Sequence, residues 1–163
     1  MDNLIRRAKQ GNPDAFVALM QSQMQNMYKA AKAVLRNDED VADAISDTIL
    51  VCWEKLRQLK EEAYFRTWMT RILINKCHDI LRKQKHISLL EEMPEIPSGE
   101  GNYENIEWVE ALASLGEKYR LVLMLYYVEG FKTGEIGEIL GMPESTVRSR
   151  LARGRQQLAK EFA

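Results

Sequence analysis

The sequence contains few of the residues that stabilise small extracellular proteins or allow a chain to cross a membrane. It has two cysteines, four prolines and nine glycines among 163 residues. Two cysteines cannot form a disulfide framework or, by themselves, a four-ligand zinc site. The longest apolar run covers residues 121–128, far below the roughly 18 residues of a membrane span, and the first seven residues lack the apolar core of a signal peptide. We therefore expect a soluble protein of the reducing cytoplasm.

Motifs typical of catalysis are also missing. The chain has no glycine-rich phosphate loop, no HExxH and no paired-carboxylate motif. Cys77 and His78 are adjacent, and neighbouring side chains on a helix point about 100° apart, so these two would diverge. His78 and His86 have no carboxylate at a metal-ligating spacing on one helix face. We expect no enzyme activity, cofactor, bound metal or small-molecule substrate.

Helix-forming residues dominate what is present. Apolar side chains recur at helical spacing from Phe16 through Met20, Met24 and Met27, which predicts a long helix running from a cap at Asn12 to about residue 36. Further helices are predicted over residues 3–10 and 40–56, and from residue 65 into a basic run at 82–86. Prolines and glycines cluster at 93–102. The fold class predicted is all-α, with helical domains at residues 1–86 and 105–163 and a flexible linker at 87–104.

Charge is unevenly distributed, although the net charge is only −1. Residues 37–54 contain six acids and no Lys or Arg, whereas residues 66–86 contain six bases and one acid. Residues 87–117 are again purely acidic, and residues 145–163 hold five bases and one acid. Two basic blocks separated by an acidic one predict two places that contact a polyanion, because the local field governs such contacts.

The strongest local motif is a helix-turn-helix at residues 135–151, EIGEILGMPESTVRSRL. Gly141 is expected to end the first helix with a left-handed backbone. At 100° per residue, Val147, Leu151, Gly154 and Leu158 share one sector of the second helix. The opposite side carries Arg148, Ser149, Ala152, Arg153 and Gln156, with Arg150 and Arg155 on the two flanks. This layout suits a helix that reads bases in the major groove, although a solvated amphipathic helix is the simpler alternative.

The first half carries a weaker signal. Phe65, Trp68 and Met69 precede bases and amides on a predicted helix, and such a combination can hold unstacked bases. From these residues alone we favour the simpler interpretation, in which Phe65 and Trp68 belong to the core and the bases are solvated.

Several segments together resemble the extracytoplasmic-function (ECF) class of sigma-70 RNA polymerase sigma factors. They are DVADAISDTILVCW at 40–53, FRTWMTRILIN at 65–75, RKQK at 82–85, YYVEGF at 126–131 and TVRSRLARGR at 146–155. The resemblance runs through nearly the whole chain. It implies that residues 1–86 form sigma region 2 and residues 105–163 form sigma region 4.

The resemblance also implies three sites. Asp43, Ser46, Asp47 and Leu50 would bind the β′ clamp helices of core RNA polymerase, and region 4 would contact the β flap. The loop at 59–64 would hold a flipped base of the −10 element. The −10 contacts implied are Lys60, Glu61, Glu62, Tyr64, Arg71, Asn75, Lys76, Asp79, Arg82 and Lys83. Arg148, Ser149, Ala152 and Arg153 would read the −35 element, with Thr146, Arg150 and Arg155 on phosphate.

The implied function is promoter-specific transcription initiation, with promoter DNA, core polymerase and an anti-sigma factor, often a membrane protein, as partners. A stand-alone helix-turn-helix regulator and a helical adaptor are the alternatives. Gly137 stands where the family often has Ala, at an expected cost of about 1 kcal/mol in a helix interior.

Overall fold

The computed structural model describes residues 2–91 and 115–161, with side chains described for residues 2–85 and 115–160. Within these ranges the chain forms helices and turns and contains no β-strand. The chain divides into two compact units between Glu92 and Met93. The all-α prediction is therefore correct, and each unit has its own helical core.

The first unit contains four α-helices and two single turns of 3₁₀-helix. These are α1 at Asp2–Lys9, α2 at Pro13–Lys32, α3 at Asp38–Lys55, 3₁₀ turns at Leu56–Gln58 and Glu62–Tyr64, and α4 at Phe65–Glu91. Asparagine caps start two of them: the Asn12 side chain accepts from Ala15 N (3.1 Å) and the Asn37 side chain accepts from Glu39 N (2.7 Å). The cap at Asn12 and Pro13 in the first helical position were both predicted correctly.

The core of this unit lies between α2, α3 and α4. Leu19, Ala44, Phe65 and Leu73 are fully buried, and each large apolar side chain contributes about 1.5–3 kcal/mol on burial. Thr48 is also buried, and its hydroxyl donates to the Ala44 carbonyl at 2.7 Å. The packing leaves outward faces on α3 and α4, which carry the polar residues considered below.

Two helix boundaries differ from the sequence prediction. α2 ends at Lys32 rather than near residue 36, and Ala33, Val34 and Leu35, which follow it, are all buried. α4 continues to Glu91, so the first five residues of the predicted linker are helical. The remaining linker residues, 92–104, lie outside the described ranges. Met24, predicted by periodicity to follow the apolar stripe, is 41% exposed.

The second unit is described from residue 115. It has α5 at Glu117–Leu123, a π-helical segment at Met124–Val128, α6 at Thr133–Leu140 and α7 at Glu144–Glu161. Residue spacing predicts two short helices, at 133–140 and about 144–161, and α6 and α7 agree with them, whereas the π-helical segment was not predicted. Ile106, Val109 and Leu112 also recur at helical spacing, and they lie outside the described ranges. Among the helices described in both units, none is long and apolar enough to span a membrane.

Candidate nucleic-acid interface

Helix α7 presents the two faces that its sequence predicts. Val147, Leu151 and Gly154 are buried and Leu158 is half-buried. The opposite face is exposed, and its residues are Arg148, Ser149, Ala152, Arg153 and Gln156. Arg155 is exposed on one flank, and Thr146 and Arg150 are half-buried on the other. A positively charged ridge with small residues at its centre therefore faces outward.

The turn before α7 sets how closely it packs on α6. Gly141 has φ +66°, so the predicted left-handed cap is present. The Met142 N–H donates to the Gly137 carbonyl at 2.9 Å, and a Cβ built on Gly137 would lie 2.8 Å from the Met142 oxygen. The propensity cost expected of glycine at position 137 is therefore accompanied by a steric requirement. The close turn requires the missing side chain.

Two arginines on one side of the ridge have partners in the same unit. Arg148 pairs with Glu144 at 3.2 Å, and the same Glu144 oxygen accepts from the Thr133 hydroxyl at 2.6 Å. Arg155 donates to the Tyr127 hydroxyl at 3.0 Å. These contacts connect α7 to the start of α6 and to the π-helical segment. They limit the directions in which the guanidinium groups point.

The other side of the ridge borders a shallow hollow of about 270 Å³. Its lining is basic and rich in hydroxyl groups, and comprises Lys118, Tyr119, Ser145, Thr146, Ser149, Arg150 and Arg153. A hydrogen bond from Arg153 holds the pKa of the Tyr119 phenol below its ordinary value. The Lys118 ammonium lies 5.0 Å from the Tyr119 ring centroid. Such a surface is suited to an anionic phosphate.

Lys118 and Tyr119 were missed by the sequence analysis. The spacing of Tyr119 with Val122 and Leu123 is helical, which predicts a residue on the apolar side of α5 and gives no sign of a contact with α7. Its contact with α7 depends on Gly154, where a Cβ would lie 3.5 Å from the Tyr119 Cβ and 2.9 Å from Leu123 Cδ1. A glycine inside a basic helix is the one signal that could have indicated a neighbouring helix at this position.

On the first unit, α4 carries a row of polar residues along its outer face. Trp68, Arg71, Asn75, Asp79 and Arg82 fall within about 80° of one another at 100° per residue. Arg71, Asn75 and Arg82 are exposed, while Trp68 and Asp79 are half-buried. Arg82 donates to the Asp79 carboxylate. The half-buried Lys76 and exposed Lys83 lie beside the row. The structure thus brings six of the predicted −10 residues to one side of one helix.

The aromatic residues at the start of α4 differ in burial. Phe65 is fully buried, which agrees with the simpler interpretation of this residue. Trp68 is only half-buried, with its ring centroid 6.2 Å from that of Phe65. Trp68 therefore belongs to the outer row rather than to the core alone.

The other predicted −10 residues lie on the segment before α4. Lys60, Glu61 and Tyr64 are exposed, whereas Glu62 is half-buried and pairs with Arg6 of α1 at 3.5 Å. Leu59 is buried and attaches the start of the segment to the core. The segment therefore has a fixed base and an exposed tip.

The predicted polymerase-binding residues share one exposed face of α3. Asp43, Ser46 and Asp47 are exposed, and Leu50 is 60% exposed. Trp53, absent from the sequence prediction, lies beside them at 47% exposure and contacts the Phe16 ring edge-on at 5.0 Å between centroids. Exposed apolar side chains thus lie beside polar ones on this surface, as in protein interfaces that combine an apolar centre with a polar rim.

The described residues contain no group of three His, Cys, Asp or Glu side chains placed to hold a metal ion. Cys52 and Cys77 are buried free thiols, and burial raises the pKa of Cys52 to about 12. A buried thiol with a raised pKa is a poor nucleophile. Cys52 is thus a small core residue, as its position on the apolar stripe of α3 predicts.

Comparison with known proteins gives two family matches. Residues 19–87 match the family model of sigma-70 region 2, and residues 106–158 match that of sigma-70 region 4. The RNA polymerase sigma factor SigV of Bacillus subtilis is 28% identical over 162 residues, which cover 95% of this chain and 98% of SigV. The ECF sigma factor SigW of the same organism is 26% identical, with 97% and 94% covered.

A solved structure of similar fold is the sigma factor RpoE of Bartonella quintana, crystallised with the anti-sigma factor NepR. It has a TM-score of 0.79 at 20% identity and covers 89% of this chain and 94% of RpoE. Two helical units with the sigma-70 region 2 and region 4 sequences define a sigma-type transcription protein. The chain belongs to the sigma-70 family of RNA polymerase sigma factors, in its extracytoplasmic-function class.

Proposed function

We propose that this sigma factor acts as the non-catalytic specificity subunit of RNA polymerase, engaging core polymerase through the first unit and promoter DNA through both. In this proposal residues 1–86 are the region 2 domain, with α4 extending to Glu91. Residues 87–104 connect it to the region 4 domain at 105–163. One observation carries the proposal: each unit presents an outward helix face that carries arginine and amide side chains, on α4 and on α7 respectively.

At the −35 element, α7 is proposed to enter the major groove. Arg148 and Arg153 are exposed on the outer face and long enough to reach guanine O6 and N7, and the small Ser149 and Ala152 allow close approach. Thr146, Arg150 and Arg155 are proposed to contact phosphates on the two flanks. Lys118 and Tyr119 of α5 are proposed to extend this phosphate-binding surface beyond α7, since they line the same hollow as Thr146 and Arg150.

At the −10 element, the first unit is proposed to bind one separated strand. The loop at 59–64 would take an extruded base at its exposed tip, and the row on α4 would follow the strand. Unstacking a base costs a few kcal/mol, and stacking on an aromatic ring such as Trp68 returns about 1–3 kcal/mol per base. Arg71, Lys76 and Lys83 supply the positive charge that a backbone requires.

The α3 face of Asp43, Ser46, Asp47 and Leu50 is proposed to bind the β′ clamp helices of the core enzyme. Leu50 and the neighbouring Trp53 are large apolar groups exposed to solvent, and their burial would favour association. The second unit is proposed to contact the β flap.

We further propose an anti-sigma factor as a partner, which would act in the cytoplasm on these same surfaces. The similar fold of RpoE, whose crystal structure is a complex with the anti-sigma factor NepR, supports this proposal. Since the anti-sigma factor competes with polymerase, it would bind the sigma factor when transcription is not required.

Binding to purified bacterial core polymerase tests the α3 assignment. Asp47→Asn and Leu50→Ala should each weaken the affinity about 5- to 10-fold, as expected for residues within an interface. Asp14→Asn, which removes one exposed charge from α2, is the matched control and should bind like the wild type. Tight binding of a duplex operator without core polymerase would instead favour a stand-alone regulator.

A further inference from the structure

The segment that precedes α4 has little support of its own. Between the two 3₁₀ turns, its backbone hydrogen bonds are Leu59 N to the Leu56 carbonyl (3.1 Å) and Tyr64 N to the Glu61 carbonyl (3.0 Å). Leu59 is buried, whereas Lys60 and Glu61 at the tip are exposed. A segment with so few internal bonds has many accessible conformations unless another element restricts it.

Helix α1 supplies that restriction from the far end of the sequence. The Lys9 ammonium donates to the Leu59 carbonyl at 2.5 Å, 50 residues along the chain. Arg6, one turn earlier, pairs with Glu62 at 3.5 Å. α1 is itself held in the core by Ile5 and Ala8, which are 1% and 5% exposed. Two cations on one docked helix thus contact both halves of the segment.

The two contacts are unequal in strength. The Arg6 side chain is 67% exposed, and ion pairs of that kind contribute little. The Lys9 contact is partly buried and joins a charged donor to a main-chain carbonyl, the stronger type of hydrogen bond. Lys9 is therefore the principal restraint, and it acts on the backbone at the point where the exposed tip begins.

We infer that α1 restrains the conformation of the segment at 59–64 and that Lys9 is a positioning residue for recognition of the −10 element. The inference rests on the proposed base-binding role of this segment. α1 lies outside residues 19–87, the part that matches the sigma-70 region 2 model. Because preorganised loops lose less conformational entropy on binding, loss of the Lys9 hydrogen bond should weaken capture of the extruded base. Contacts with core polymerase and with the −35 element should be unaffected.

The test compares variants assembled with core polymerase on a promoter library randomised at the −10 element. Permanganate reactivity of unpaired thymines reports strand opening. Lys9→Met keeps the apolar stem and removes the ammonium, and we expect strand opening and −10 base preference to fall about 3- to 10-fold, the ratio that one hydrogen bond commonly supplies. Lys9→Arg should restore most of the loss. Arg7→Met is the matched control, because Arg7 is exposed on the same helix and makes no bond to the described segment.

Two further measurements make the outcomes separable. Lys60→Ala and Glu61→Ala at the tip test the base-binding role itself, and the affinity for core polymerase, which the α3 face of the same unit is proposed to bind, tests folding of the first unit. If the tip variants change −10 preference while Lys9→Met matches the wild type, the inference that Lys9 positions the segment is wrong. If Lys9→Met weakens the affinity for core polymerase as much as it weakens −10 recognition, Lys9 has only a structural role in the first unit and the inference also fails. If the tip variants have no effect, the base-binding role of the segment is wrong.

Discussion

At the scale of single residues, α7 holds its arginines in defined positions. Arg148 pairs with Glu144, Arg155 donates to the Tyr127 hydroxyl, and Arg153 donates to the Tyr119 hydroxyl. A free arginine side chain loses up to about 2 kcal/mol of rotamer entropy when it is fixed. Partners that restrict it before DNA arrives reduce the loss at the moment of binding.

Tyr119→Phe removes the hydroxyl that accepts from Arg153 and retains the ring. We expect discrimination at the −35 base pair that Arg153 contacts to weaken, because the Arg153 guanidinium loses the hydroxyl that orients it. Transcription from a library randomised at the −35 element, with variants assembled on core polymerase, measures this. Tyr126→Phe is the control, because that hydroxyl makes no hydrogen bond among the described residues. Equal discrimination by both variants would contradict the role of Tyr119.

Gly137→Ala should destabilise the second unit, although alanine is the better helix former by about 1 kcal/mol. The added Cβ would lie 2.8 Å from the Met142 main-chain oxygen, and overpacking of this kind typically costs about 1–3 kcal/mol. Gly134→Ala, in the same helix and with only the Glu144 side chain at 3.9 Å, is expected to be neutral or stabilising. Urea unfolding of both variants distinguishes the two effects. A more stable Gly137→Ala protein would show that the turn relaxes.

Cys52 gives a pH prediction. Its pKa is about 12 in the folded chain against an ordinary value of 9.0, so the unfolded state loses its thiol proton first as pH rises. The free energy of unfolding should therefore decrease between these two values, with a slope of up to about 1.4 kcal/mol per pH unit from this group. Below pH 9 the contribution is fully present. Urea unfolding across this pH range should show a smaller slope for Cys52→Ala, and identical slopes would contradict the assignment.

At the scale of elements, periodicity predicted most of the fold because the helices are amphipathic. The outward face of α7 could be predicted from the rotation of 100° per residue alone, since every buried residue of this helix is apolar or glycine. The end of α2 was not predictable in this way, because the burial of Ala33, Val34 and Leu35 depends on helices distant in sequence. The partners of Arg153 and Arg155 were missed for the same reason. Tyr119 and Tyr127 come from segments roughly thirty residues earlier in the chain.

Two arginines on the same side of α7, Arg148 and Arg155, should respond differently to loss of charge. Arg148→Ala is expected to reduce binding by about 1–3 kcal/mol at one −35 base pair only. Arg155→Ala should weaken binding to every sequence and lower the salt-dependence slope by about 1, because a flanking arginine contacts phosphate. Holoenzyme binding to −35 variants at several salt concentrations measures both. A uniform loss for Arg148→Ala would indicate that Arg148 contacts phosphate.

At the scale of the whole molecule, near-neutral net charge conceals two basic surfaces and one acidic surface. A small domain that contacts a few phosphates binds DNA weakly and with strong salt dependence. When both units are attached to one polymerase, the second contact becomes intramolecular and the affinities reinforce one another. In the proposed arrangement a single narrow DNA-binding face on each unit would suffice.

Run-off transcription with purified core polymerase and a promoter library randomised at both elements tests this account most directly. The account predicts transcripts only from promoters with a defined −10 and a defined −35 sequence at fixed spacing. Arg148→Ala should relax selection at −35 alone, and Lys60→Ala should alter it at −10 alone. Failure to associate with core polymerase, or transcription without selection at either element, would contradict the account.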